Sequence, residues 1–87
     1  MRKEIKILKA LANEKRIEIL QLLAKSSVLS VSDIAEDIHL HFKSTSKHLQ
    51  KLVEAGLLEQ KRDGLYVVHN LKEWTARLLD DITKLKV

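Results

Sequence analysis

A chain of 87 residues with no Pro, no Cys, two Gly and one each of Phe, Trp and Tyr has little material for turns. It has no disulfide or thiolate chemistry and too few aromatics for a base-stacking platform. Lys and Arg number 16 against 12 Asp and Glu, a net charge of +4 that favours polyanions without separating DNA from RNA or membrane. The composition favours helices and a single domain over 1–87, and a chain this short buries only about 60 to 65% of its unfolded surface, so its stability leans on a partner.

Charges at Glu4, Lys6 and Lys9 interrupt any signal-peptide core, and nothing approaches a membrane span, so a cytoplasmic protein without membrane contact is expected. Arg2 to Ala12 reads as a surface helix, with Ile5, Leu8 and Ala12 on one side, Ile7 and Leu11 beside them, and Arg2, Lys6 and Lys9 on another. Asn13 suits an N-cap with Glu14 in the first turn that follows. Ile17, Ile19, Leu20, Leu22, Leu23 and Ala24 make the second helix apolar over most of its circumference, as a core helix would be.

Ser30 followed by Asp33 is a capping-box-like start, after which Ile34, Ala35 and Ile38 repeat at helical spacing. The turn at 38–41 has no Gly. In the next helix Phe42, Thr45, Leu49, Leu52 and Val53 fall on one side and Lys43, Lys47, Gln50 and Lys51 on the other. A solvated face usually mixes signs so that pairs form four residues apart, and here Glu54 alone offsets the lysines. Two helices joined by a short turn, the second with a cationic face, read as a DNA-reading unit over about 30–55.

Gly56 sits where a left-handed residue would close that helix. Leu57 to Arg62 and Leu65 to His69 then flank Asp63-Gly64, the two-residue signal for a type I′ hairpin, which places a wing at about 57–69. Asn70 with Glu73 can cap a last helix in which Leu71, Trp74, Leu78 and Leu85 follow an a/d-like spacing supplemented by Leu79 and Ile82. The fold expected is mostly α with a small β-hairpin, about five helices plus a two-stranded wing. More apolar helix faces lie at the two ends, about 2–12 and 71–86, than such a core can cover.

These motifs together resemble the ArsR family of bacterial and archaeal winged helix-turn-helix repressors. The residues concerned are L-K-A-L-A-N-E-K-R-I-E-I-L at Leu8 to Leu20, S-K-H-L at Ser46 to Leu49, K-L-V-E-A-G-L-L at Lys51 to Leu58 and R-D-G at Arg62 to Gly64. The resemblance implies a short strand at 28–31 and a homodimer held by the first and last helices. Ile5, Leu8, Trp74, Leu78, Ile82 and Leu85 are then the interface residues. It also implies that Lys43, Ser46 and Lys47 reach the major groove of double-stranded DNA, with Ser44 adjacent or acting as a helix cap and Lys51 further along the same face. Lys61 and Arg62 would lie along the backbone or minor groove, and Arg16 would contact phosphate or pair with a carboxylate. Phe42 stands where the family often has a base-contacting glutamine, but its angle turns it toward the core.

Other chemistries find no support. Where metal-sensing relatives carry C-x-C before D-L-A, this chain has Ser30-Val31-Ser32 before Asp33-Ile34-Ala35, and hydroxyls are poor ligands for soft metals. His39, His41, His48 and His69 form no H-x-x-x-H pair, so neither metal nor other cofactor is expected. No phosphate loop, H-E-x-x-H or nucleophile elbow occurs, and Asp80-Asp81 cannot converge on one substrate atom, so no enzyme is expected. The reading is a metal-independent, homodimeric repressor on a pseudo-palindromic operator, nucleoid-associated when bound. The rival readings are a winged-helix protein-interaction module and an RNA-binding winged helix.

Overall fold

The computed structural model describes residues 1–85. Five helices and three strands follow in the order α1 (Arg2–Leu11), α2 (Glu14–Ser26), β1 (Val28–Ser30), α3 (Val31–Asp37), α4 (Phe42–Glu54), β2 (Leu58–Asp63), β3 (Tyr66–Leu71) and α5 (Glu73–Thr83). The strands form one antiparallel sheet in the order β1-β3-β2, so the expected two-stranded wing gains β1 as a third member. This is a winged helix-turn-helix, with α3 and α4 as the helical pair and β2-β3 as the wing.

Local side chains start the first helices as the sequence suggested. The Asn13 side chain accepts from the Arg16 amide at 3.1 Å, and Ser30 Oγ accepts from the Asp33 amide at 3.2 Å. Both helices of the turn unit end on a left-handed residue. At Gly56, φ is +78°, the Gly56 amide donates to the Val53 carbonyl and the Leu57 amide to Leu52. The same pair of bonds closes α3, where the His39 amide donates to Glu36 and the Leu40 amide to Ala35, and the residue at φ +54° is His39. That substitution for glycine is why the turn was hard to place from sequence.

The core is built from Ile19, Leu20 and Leu23 of α2, Ile34 of α3, Leu49 and Leu52 of α4, Leu57 and Leu58 at the start of the wing, and Leu79 of α5. Each such side chain contributes about 1.5–3 kcal/mol by leaving water, so cutting Leu52 to Ala costs about 2–5 kcal/mol once its cavity is included. α2 is the core helix expected, although Ala24 is exposed and the apolar arc is narrower than its composition suggested.

Several expectations need correcting. The hairpin turns on Gly64-Leu65 rather than Asp63-Gly64, because Asp63 is still paired with Tyr66. Positive φ at Gly64 without one at Leu65 is the type II′ pattern rather than I′. Moving the turn by one residue brings Leu58 opposite Leu71 and keeps each side chain on its face of the sheet. The last helix is not capped by Asn70. Asn70 lies in β3 and donates to the Leu71 carbonyl, while the N-cap position belongs to Lys72 with no side-chain cap bond. Leu71 accordingly belongs to β3, not to the a/d stripe of α5.

On α1, Ile7, Ala10 and Leu11 turn inward, whereas Ile5, Leu8 and Ala12 face outward. Thr75 Oγ1 donates to the Leu57 carbonyl at 2.7 Å, and Trp74 Nε1 to the Gly56 carbonyl at 3.2 Å. These two bonds anchor the start of α5 to the segment between α4 and β2.

Candidate nucleic-acid interface

α4 is held against the core by Thr45, Leu49 and Leu52, which fixes the direction in which its other faces point. Thr45 is buried and satisfies its hydroxyl by donating to the His41 carbonyl at 2.9 Å. Lys43, Ser46, Lys47, Gln50 and Lys51 are exposed, and Ser44 is half-buried. Ser44 does not cap the helix, since the N-cap position is His41 and no side chain bonds there.

Lys43, Lys47 and Lys51 recur every four residues, a spacing at which like charges repel. Among the described residues the ion pairs within 4.0 Å lie on α1, α2 and α5, and none involves these lysines. Lys6 and Lys9 of α1 and Arg16 of α2 border a cleft of about 210 Å³ together with Lys51 and Glu54, extending the cationic stripe onto α1. Lys61 and Arg62 are exposed on β2, opposite Val68 and Val67.

Arg16 pairs with no carboxylate among the described residues. Its Nε donates to the Ala10 carbonyl at 2.7 Å and one Nη to the Lys9 carbonyl at 3.2 Å, while the other Nη lies 3.2 Å from His48 Nδ1. It satisfies the open carbonyls at the end of α1 and ties that end to α4. Desolvation, then the charges of Arg16 and Lys51, pull the His48 pKa down from its ordinary value.

Phe42 is the main correction. It lies on the azimuth that buries Leu49 and half-buries Val53, yet it is 58% exposed. As the first residue of α4 it overhangs the core rather than entering it. Phe42, Ser46 and Gln50 from α4 and Leu65 and Tyr66 from the wing line a cleft of about 610 Å³. Sequence reasoning set Phe42 aside and placed Gln50 on the cationic face without assigning it a role. Helical angle alone cannot distinguish a core position from one beyond the end of the core.

His69 lies on the wall of the same cleft and is 2% exposed. Its Nε2 is 3.2 Å from Gln60 Oε1, Nδ1 has no partner among the described residues, and burial lowers its pKa. Among the described residues no three of His, Cys, Asp and Glu are grouped to hold a metal ion. Asp80 is exposed and paired with Lys84 at 2.9 Å. Among the same residues no helix is long and apolar enough to cross a membrane.

At the ends of the chain Ile5, Leu8, Trp74, Ile82 and Leu85 present apolar surface, while Leu78 is half-buried against the core. α5 ends at Thr83, so Leu85 lies beyond the helix that was expected to carry it to residue 86, and residue 86 itself lies outside the described residues.

A winged helix-turn-helix whose second helix carries lysines without ion-pair partners among the described residues defines a class of DNA-binding regulator. The family model described as bacterial regulatory protein, arsR family, matches residues 13–60, and the chain belongs to that family. It is 32% identical over 81 residues to the arsenical resistance operon repressor of Escherichia coli, covering 88% of this chain and 69% of the relative. It is 30% identical over 78 residues to the arsenic resistance transcriptional regulator ArsR1 of Pseudomonas putida, covering 90% of this chain and 61% of the relative.

Among solved structures, the homodimeric winged helix-turn-helix DNA-binding domain of a possible ArsR-family regulator from Mycobacterium bovis matches with TM-score 0.89 and 32% identity. That match covers 94% of this chain and 76% of the other. HlyU from Vibrio cholerae matches with TM-score 0.84 and 27% identity over 95% of this chain and 90% of that one.

Proposed function

We propose that the protein is a sequence-specific, double-stranded DNA-binding transcriptional regulator, a homodimeric and metal-independent repressor. The observation that carries the reading is the row of exposed lysines on α4 left without carboxylate partners among the described residues, on the helix whose N-terminal part enters the major groove in this class. Lys43, Ser46 and Lys47 meet base edges and nearby phosphates, with Ser44 beside them and Lys51 on the backbone. Lys61 and Arg62 bring the wing's charge to the adjoining backbone. The domain plan is one winged helix over 1–87, with reading unit, wing and two terminal dimerisation helices.

Dimerisation is supported by the outward apolar side chains of α1 and α5, which an isolated protomer leaves in water, and by the homodimeric relative from Mycobacterium bovis. A two-fold dimer reads a pseudo-palindrome with half-sites about 10 bp or a multiple apart. Metal independence is supported by Ser30, which stands where metal-sensing relatives place a thiolate and whose hydroxyl caps α3. The protein acts in the cytoplasm, on the nucleoid.

The test is selection of random duplexes by the purified protein, then titration of the winner and a scramble at several salt concentrations. An inverted repeat bound about 10³-fold more tightly than the scramble supports the reading. Equal, salt-dependent binding to both overturns it.

A further inference from the structure

Phe42 replaces the hydrogen-bonding glutamine that the family often has at its position with a side chain that can make no hydrogen bond. It is an aromatic side chain 58% exposed at the first turn of α4, next to exposed Lys43 and one turn before exposed Ser46. Single exposed apolar residues need no explanation. Phe42, however, shares its cleft with Leu65, 96% exposed, and Tyr66, 61% exposed; Glu54 and none of the lysines line that cleft, and the lysine row begins beside it at Lys43 on the adjoining face of α4. The lysine row that begins at Lys43 favours a polyanion against α4, and a phenyl ring offers that polyanion no hydrogen bond. Of the four bases presented in a major groove, thymine alone displays an apolar group, its C5-methyl.

We propose that Phe42 is a specificity-determining residue that packs on a thymine methyl group in each half-site. This rests on the duplex-reading function proposed above. The first-turn position supplies the reach, because the beginning of a reading helix lies deepest in the groove. The neighbouring Lys43 and Ser46 fix the ring's register through polar contacts it cannot make itself. The operator therefore carries a thymine at one fixed position in each half-site, and a variant without the ring loses that preference alone.

The experiment uses the full chain and its selected duplex, with deoxyuridine replacing each thymine in turn so that only the methyl is removed. At the Phe42 position wild type weakens about fourfold per methyl and about fifteenfold when both half-sites are changed, the effect of exposing about one methylene-sized group at each. Phe42→Ala binds the thymine and uracil duplexes within about twofold of each other. Phe42→Leu, which keeps an apolar side chain, retains part of the discrimination. Circular dichroism checks that both variants keep their helix content, as an exposed position predicts. Wild type indifferent to every thymine methyl, or Phe42→Ala with undiminished methyl preference, overturns the proposal while sequence-selective binding leaves the wider reading intact. No preference among duplexes by wild type overturns both.

Discussion

The guanidinium of Arg16 lies 3.2 Å from the ring nitrogen Nδ1 of His48, joining the start of α2 to the middle of α4 across a sequence separation of 32 residues. The same side chain holds the last carbonyls of α1. Three helices therefore meet on one cation, and the outward face of α1 is oriented relative to the reading helix through it. Arg16→Ala is expected to lower stability by about 1–3 kcal/mol, the scale of losing charge-assisted hydrogen bonds. The salt slope of DNA binding should stay at the wild-type value, since Arg16 is spent within the fold. Urea denaturation and titration across salt concentrations read the two effects, and a shallower slope with full stability would falsify the structural assignment.

Acid should destabilise the protein through His48 and His69. Both pKa values are lowered in the folded chain, so below about pH 6.5, the ordinary histidine value, the unfolded chain holds more protons than the folded one. The stability they provide is complete above about pH 7 and declines as pH falls through 6.5 toward the lowered folded values. His69 is the stronger case, being buried with Nδ1 unpartnered. Urea midpoints measured at intervals between pH 7.5 and 5 should fall, and His69→Leu should flatten the decline. A wild-type profile level over that range contradicts the account.

The two helix ends built on left-handed residues predict opposite responses. Gly56→Ala should cost about 1–2 kcal/mol. The nearest atom to an added Cβ is Lys72 Nζ at 4.0 Å, so the penalty comes from backbone conformation alone. His39→Gly should instead raise stability by about 0.5–1 kcal/mol, because φ of +54° costs histidine more than glycine loses in chain entropy. Thermal melts of both variants settle the signs.

Lys47→Ala is expected to weaken the selected operator by about 1–3 kcal/mol while changing random duplex binding less. Arg62→Ala should weaken both alike and reduce the salt slope by about one. If Lys47→Ala loses equally on the operator and the scramble, Lys47 is a phosphate ligand and not a reader of bases.

Leu8 is 62% exposed, so Leu8→Glu leaves the protomer core intact. If α1 belongs to the dimer interface, sedimentation at tens of micromolar should move from twice the chain mass to the 10.0 kDa species. A wild type that sediments only at 10.0 kDa removes the dimer from the picture.

Much of this architecture was legible wherever a local side chain performs a local task. Asn13 and Ser30 cap the helices that follow them, Gly56 ends α4, and the lysine stripe is set by helical period. The reading slipped where tertiary geometry decides. Asp63-Gly64 is the stronger turn signal, but pairing Leu58 with Leu71 displaced the turn to Gly64-Leu65. Asn70 was drawn into β3 by its pairing with both Val28 and Glu59, leaving α5 to begin without it. Phe42 shares the core's azimuth but not its axial extent, and nothing in a helical projection records where the packing stops.

Ser30 belongs to two structures at once. It pairs with Val68 in the sheet and its hydroxyl begins α3. β1, which is hydrogen-bonded to the wing strand β3, and the first helix of the turn unit therefore meet at one residue, leaving no slack segment between β1 and α3 to act as a hinge. An operator recognised by this protein should tolerate base changes under the wing more readily than an inserted or deleted base pair between the wing's contacts and those of α4. To the duplex, the two elements amount to a rigid calliper of fixed span.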